Sequence, residues 1–200
     1  MKNKIVLCVF ILMYASTTIL AQTPWELKKD TEHIKIYTRS KPNTKFDEFK
    51  AVTTLKTTLK TVLNELLEAP KYDPSLTSGV SYYVKQLSEK KHVFYAHKIL
   101  PWPVKDRDIV TLLTVENISE TKVKLVLEGL PLEVPEKQQT IRIKQLMGYW
   151  LLEEINNTTK VIQQLYINPE GTLPSFVVNA LLVKGPFQTF KKLKALENQI

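Results

Sequence analysis

Residues 101–110 read Pro-Trp-Pro-Val-Lys-Asp-Arg-Asp-Ile-Val, PWPVKDRDIV. Two prolines fix the backbone on either side of a tryptophan, which places an aromatic side chain on a stiff loop. An arginine between two aspartates then opens an apolar strand. Period-two alternation puts Arg107, Ile109, Thr111, Leu113 and Val115 on one face, and Asp106, Asp108, Val110 and Leu112 on the other. On the preceding strand Val93, Tyr95, His97 and Ile99 share a face. If that face coincides with the face of Arg107, Tyr95 and His97 bring polar groups to an arginine inside an apolar space. The alternative is a surface pairing of Arg107 with Asp106 or Asp108 that merely ends a loop.

Outward from this stretch the chain reads as strands, one short helix, more strands and one long helix. His33–Thr38 alternates like a half-buried strand, and Phe46–Lys56 follows a Lys41-Pro42-Asn43 turn. Leu59, Val62, Leu63, Leu66 and Leu67 recur at helical spacing, with Thr57 or Thr58 as N-cap and Ala69-Pro70 as the stop. Strand-like segments then run over Gly79–Leu87, Lys91–Leu100, Asp108–Glu116, Thr121–Gly129, Thr140–Glu154 and Lys160–Asn168. Short connections make neighbours antiparallel and predict a meander. A last helix opens at Pro174 and runs to about Asn198. Phe176, Ala180, Val183, Phe187, Phe190 and Leu193 form its apolar stripe. Gly185-Pro186 interrupts it, and the proline predicts a kink near Leu182.

The first residues stand apart. Lys2 and Lys4 precede an apolar run, Ile5–Tyr14, and a small-polar segment ends at Ala21, the layout of a secretory signal peptide over residues 1–21. An uncleaved anchor is the alternative reading, since residues 5–21 carry no charge but fall slightly short of a comfortable span. The single cysteine, Cys8, lies in that leader, so residues 22–200 carry no thiol. Net charge is +8, and the two leader lysines leave +6 on the remainder. Such an excess suits an anionic surface but fits ordinary solvated lysines equally well.

Catalytic and nucleotide-binding motifs are missing: there is no GxSxG, HExxH, GxGxxG or phosphate-binding loop. His33, His92 and His97 are too widely spaced to read as a metal set, and no cofactor is implied. Arg39, Arg107 and Arg142 are the only arginines and are not interleaved with aromatics, which argues against nucleic acid.

Three segments in order, PWPVKDRDIV, IRIKQLMGYWLLEE and INPEGTLPSFVVNALLVKGP, resemble the START (steroidogenic acute regulatory protein-related lipid-transfer) family. The resemblance extends from Trp25 and IKIYTRS through FKAVTTL and YDPSL to the last helix. It implies an α+β helix-grip fold, a curved antiparallel β-sheet wrapped around a long C-terminal α-helix enclosing a hydrophobic tunnel. The family's N-terminal helix looks reduced to the residues around Trp25–Lys29.

By this resemblance, residues 22–200 form one lipid-binding domain that holds a lipid or sterol-like molecule, carries it as a monomer without catalysis and touches membranes transiently. A helix-grip enzyme of the cyclase or hydrolase kind, or an interaction module with a filled core, is the alternative. Arg107 and His97 are the expected head-group contacts, with Tyr95, Tyr149, Phe176, Ala180, Val183 and Phe187 as walls. Trp102, Pro103, Gly185 and Pro186 form the expected gate. The family's acidic partner for the arginine falls near His97, a departure that leaves Arg107 without the usual carboxylate. The leader implies export, to a bacterial periplasm. A void of several hundred Å³ under the long helix favours carriage, and a packed interior opposes it.

Overall fold

The computed structural model describes residues 23–68 and 79–198. The leader, the Ala69-Pro70 stop and the YDPSL segment lie outside them.

The sequence turns into strand at Glu26. Strand β1 (Glu26–Thr31) pairs with β2 (Ile34–Ser40), and β3 (Asp47–Leu55) pairs with β2. Where the family resemblance suggested the remnant of a helix, the chain forms an edge strand. A two-residue turn with φ of 55° at Glu32 and 60° at His33 folds β1 back, a left-handed pair that matches strand twist.

Helix α1 (Leu59–Glu68) follows. Thr58 is its N-cap: its hydroxyl accepts from the Thr61 amide at 3.3 Å, while its carbonyl accepts from Val62 at 3.2 Å. Buried Leu59 and Val62 hold the helix to the core.

Strands β4 (Gly79–Ser88), β5 (Lys91–Lys98), β6 (Asp106–Ser119) and β7 (Lys122–Gly129) form the expected antiparallel meander. The predicted strand Thr140–Glu154 is divided. Its start, β8 (Thr140–Arg142), runs parallel to the beginning of β6, and β9 (Gln145–Ile155) crosses to pair with β7. Strand β10 (Thr158–Asn168) closes the order β1-β2-β3-β10-β9-β7-β6-β5-β4, with β8 off the path against β6. Asn156 and Asn157, at φ of 50° and 61°, make the tight β9–β10 turn.

One sheet face is apolar by alternation and receives the C-terminal helix. Ile34, Ile36, Ala51, Leu125, Leu152 and Val161 are completely buried there with Phe190 of the helix. Trp150 stacks on Phe190 with centroids 5.5 Å apart and planes 17° apart. Burying such an aromatic stabilises the fold by roughly 1.5–3 kcal/mol, with about 0.5–1.5 more from the ring pair. The expected grip of a sheet around a helix is therefore present, and the sheet is not closed into a barrel.

The helix is built in pieces: α2 (Ser175–Asn179), a π-helical turn (Ala180–Lys184), α3 (Gly185–Lys194) and a 3-10 turn (Ala195–Asn198). Pro186 explains the irregularity. It offers no N–H to Leu182, and in a regular α-helix its ring would press on the Leu182 carbonyl. The preceding turn widens instead, so that the Gly185 amide donates to Ala180, five residues back. The interruption predicted near Leu182 takes this form.

Candidate functional site

Between the first half of the last helix and the inner sheet face lies a cleft of about 90 Å³. Val178, Leu181 and Leu182 roof it, while Phe46, Phe49, Leu165, Ile167 and Ile143 line its walls. Leu100 and Pro169 contribute from loops, and Lys98 and Arg107 supply its cationic groups.

Arg107 sits here because it heads the inward-facing set of β6, and it is 4 % exposed. Its Nε donates to the Pro169 carbonyl at 3.2 Å. One Nη donates to Lys105 at 2.5 Å and the other to Glu170 at 3.3 Å. All three acceptors are backbone carbonyls, and among the described residues Arg107 forms no ion pair. Burial pushes its pKa down, and the nearby Asp106 charge pushes it up. Directly across the strand pair stands Lys98, whose pKa is lowered by burial and then by the Lys184 charge.

The register decides which polar groups join Arg107. Lys98 pairs with Arg107, Ala96 with Ile109, His97 with Asp108 and Tyr95 with Val110. Opposite residues share a face, so Tyr95 and His97 lie on the outer face, away from the cleft. The expectation that their face coincides with that of Arg107 is corrected by one residue of register.

On that outer face Tyr95 is fully buried with Val93 and Val110, and Val84, Leu112, Leu130 and Val134 pack against them. Its hydroxyl donates to Asp108 Oδ2 at 3.1 Å. Asp108 in turn receives Arg142 through Nε at 2.8 Å and Nη2 at 2.9 Å, a two-pronged pairing with both side chains 1 % exposed. The remaining Arg142 donors reach the Pro131, Val134 and Pro135 carbonyls. Arg142 therefore staples the β7–β8 loop to the back of the sheet, and its Asp108 bond raises its pKa. His97 Nε2 is buried 3.2 Å from Asp106 Oδ2 but is too poorly aligned for a hydrogen bond.

Tyr149 is also on the outer face, donating to Gln164 Oε1 at 3.1 Å; Gln164 continues to Glu48 at 3.0 Å. Ala180, Val183 and Phe187 lie along a separate open groove with Lys29 and Lys184. Phe187 is mainly core, with the Lys29 ammonium 4.3 Å above its ring. The Phe176 side chain lies outside the described residues. Of the expected gate, Trp102 is 92 % exposed and Pro103 is exposed, while Gly185 and Pro186 follow the π-helical turn.

Of the expected contacts, then, the cleft contains Arg107 alone. Lys98 and the roof residues Leu181 and Leu182 were not anticipated. The alternation of β6 marks Arg107, but Lys98 emerges only once the β5–β6 register is known.

No family model matches the chain. A crystal structure of a STAR-related lipid transfer protein from Xanthomonas axonopodis superimposes with a TM-score of 0.77, at 28 % identity over 87 % of this chain and 98 % of that one. An uncharacterized protein of Pseudomonas aeruginosa is 29 % identical over 86 % of this chain and 85 % of its own length. The phosphatidylcholine transfer protein of Bos taurus is 26 % identical over 90 % of this chain and 87 % of its own. The resemblance to START domains read from the sequence thus holds in sequence comparison and in three dimensions, and the chain has their helix-grip fold.

Proposed function

We propose that this START-like chain binds one lipid in the cleft beneath its last helix and carries it without altering it. The observation that carries this reading is a buried arginine with spare donors, beside Lys98, in a cleft otherwise lined by apolar side chains. The lipid-transfer names of the Xanthomonas and bovine relatives support it. So does the lining: among the described residues it contains Lys98 and Arg107 but no histidine, tyrosine or carboxylate that could serve as an acid–base pair.

The cleft, about 90 Å³, falls short of the void of several hundred Å³ expected for carriage and is too small for such a ligand, since small-molecule sites span roughly 300–1,000 Å³. Binding therefore requires the roof to lift. The helix is suited to this. Among the described side chains of residues 175–184 only Val177 is buried, whereas α3 is anchored by Pro186, Phe187, Phe190 and Leu193. Lifting residues 175–184 about the Gly185-Pro186 junction opens the apolar cleft while the Trp150–Phe190 stack stays in place. Exposed Trp102 is suited to meet a membrane interface as this happens. The leader supports export, with the carrier acting in a periplasm.

The test joins the loop to the roof. Cysteines at Leu100 and Leu181, which line the same cleft, are bridged by a thiol-reactive linker in the cysteine-free chain 22–200. Transfer of lipid from vesicles of mixed phosphatidylcholine and phosphatidic acid should fall at least tenfold on bridging and recover when a cleavable linker is cut. Unchanged transfer after complete bridging refutes the lifting roof. No transfer by the unmodified chain refutes carriage.

A further inference from the structure

The cationic end of the cleft is lopsided in charge. Arg107 has five N–H donors, of which three go to the carbonyls of Lys105, Pro169 and Glu170, leaving two. Those carbonyls satisfy hydrogen bonds but supply no net negative charge. Lys98 stands opposite Arg107 in the strand pair, with Cβ atoms roughly 4.5–5.5 Å apart. Among the described residues its ammonium makes no hydrogen bond or ion pair. Lys184, on the π-helical turn, is close enough to lower the Lys98 pKa by repulsion.

Among the described residues no carboxylate bonds to Arg107 or Lys98, and only the Asp106 charge reaches Arg107. Asp108 belongs to Arg142 on the outer face, and Asp106 accepts from the Leu100 amide at 3.0 Å beside His97. Two adjacent cations bordered by apolar side chains, offset only in part by the Asp106 charge, favour a negative group that arrives with the ligand.

We infer that the occupant of this cleft is an anionic amphiphile, whose phosphate or carboxylate head bridges Lys98 and Arg107 while its apolar chain lies under Leu181 and Leu182. This rests on the carrier reading and narrows it. A tetrahedral phosphate or planar carboxylate takes the two spare Arg107 donors together, and the Lys98 ammonium supplies a third charge-assisted bond at about 2.7–2.9 Å. A zwitterionic head brings its own cation to a site that already holds two. Among the described residues the lining offers no carboxylate to receive it.

The experiment is a competition. The chain is incubated with vesicles of equimolar phosphatidic acid and phosphatidylcholine, re-isolated, and its extracted lipid quantified by mass spectrometry. A parallel arm offers oleate against methyl oleate, and another offers inorganic phosphate alone. The wild type should extract phosphatidic acid or oleate at least tenfold over the neutral or zwitterionic competitor. Lys98→Gln should reduce that ratio toward one, and Lys98→Arg should restore it.

Equal extraction of phosphatidic acid and phosphatidylcholine overturns the inference while leaving carriage intact, as does a ratio unmoved in Lys98→Gln. Extraction of no lipid overturns the carrier reading with it. If inorganic phosphate alone raises the melting temperature as much as phosphatidic acid does, the anion does not need an apolar chain, and the amphiphile assignment fails.

Discussion

Replacing Asp108 by asparagine should be among the most destabilising single-atom changes in the chain, although Asp108 does not touch the cleft. The Asp108–Arg142 pair is 1 % exposed on both sides, and Arg142 bridges it to the carbonyls of Pro131, Val134 and Pro135. Asparagine preserves the shape but removes the charge, so the guanidinium stays buried with only backbone dipoles around it. Breaking one side of such a pair costs about 3–5 kcal/mol. In a chain of this size each kcal/mol moves the melting temperature by roughly 2–4 °C, so the midpoint should fall by at least ~6 °C. Asp106→Asn is the comparison. Its carboxylate is 31 % exposed and is bonded to one loop amide, which makes its loss worth about 1–2 kcal/mol. Thermal unfolding followed by circular dichroism measures both. Below its lowered midpoint, Asp108→Asn should still discriminate anionic from zwitterionic lipid, because Asp108 faces away from the cleft. A midpoint within about 2 °C of wild type, or no lower than that of Asp106→Asn, refutes the division of the Arg107-Asp108 pair into one ligand-facing and one structural residue.

Two further outcomes follow from the same geometry. Burial, and then Asp108, raise the Tyr95 pKa well above its ordinary value of 10.0. Above that value the unfolded chain releases the tyrosine proton while the folded chain keeps it, so the Tyr95 contribution to stability is full below pH ~10 and declines as pH rises further. The urea midpoint should therefore drop more steeply from about pH 9 to 11 in wild type than in Tyr95→Phe, and parallel slopes refute the assignment. Lys98 has the opposite sign: its folded pKa is lowered, so its penalty is present at neutral pH and is relieved as pH climbs toward 10.5. Lys98→Met should raise the melting temperature of the lipid-free protein by ~2–4 °C per kcal/mol of relieved penalty, and a lower melting temperature would contradict the idea of an uncompensated charge.

How much of this the sequence revealed follows from where periodicity operates. The apolar stripe containing Phe187, Phe190 and Leu193, the α1 cap and the Asn156-Asn157 turn were legible because each depends on residues within a few positions. Strand β1 was not, since its turn uses Glu32 and His33 in place of asparagine or glycine, and its side chains are almost all exposed. Nor was the break after Arg142, which depends on Asp108 more than thirty residues away.

The candidate site was half legible for a more specific reason. Adjacent residues in a strand must face opposite ways, so the sequence of β6 alone separates Arg107 from Asp108. It does not say which of His97 and Lys98 meets which, because residues 99–105 form a connection too long to fix register by turn type. The structure sets it with the Val104 amide on the Pro101 carbonyl at 3.0 Å and the Leu100 amide on Asp106 at 3.0 Å. A shift of one residue would put His97 and Tyr95 in the cleft, where an imidazole and a phenol would replace the lysine. The observed register puts Lys98 there and turns Tyr95 toward Asp108. The stiff loop after β5 therefore does more than hold Trp102 out. By fixing register it decides that the cleft is doubly cationic, and hence what kind of head group it favours.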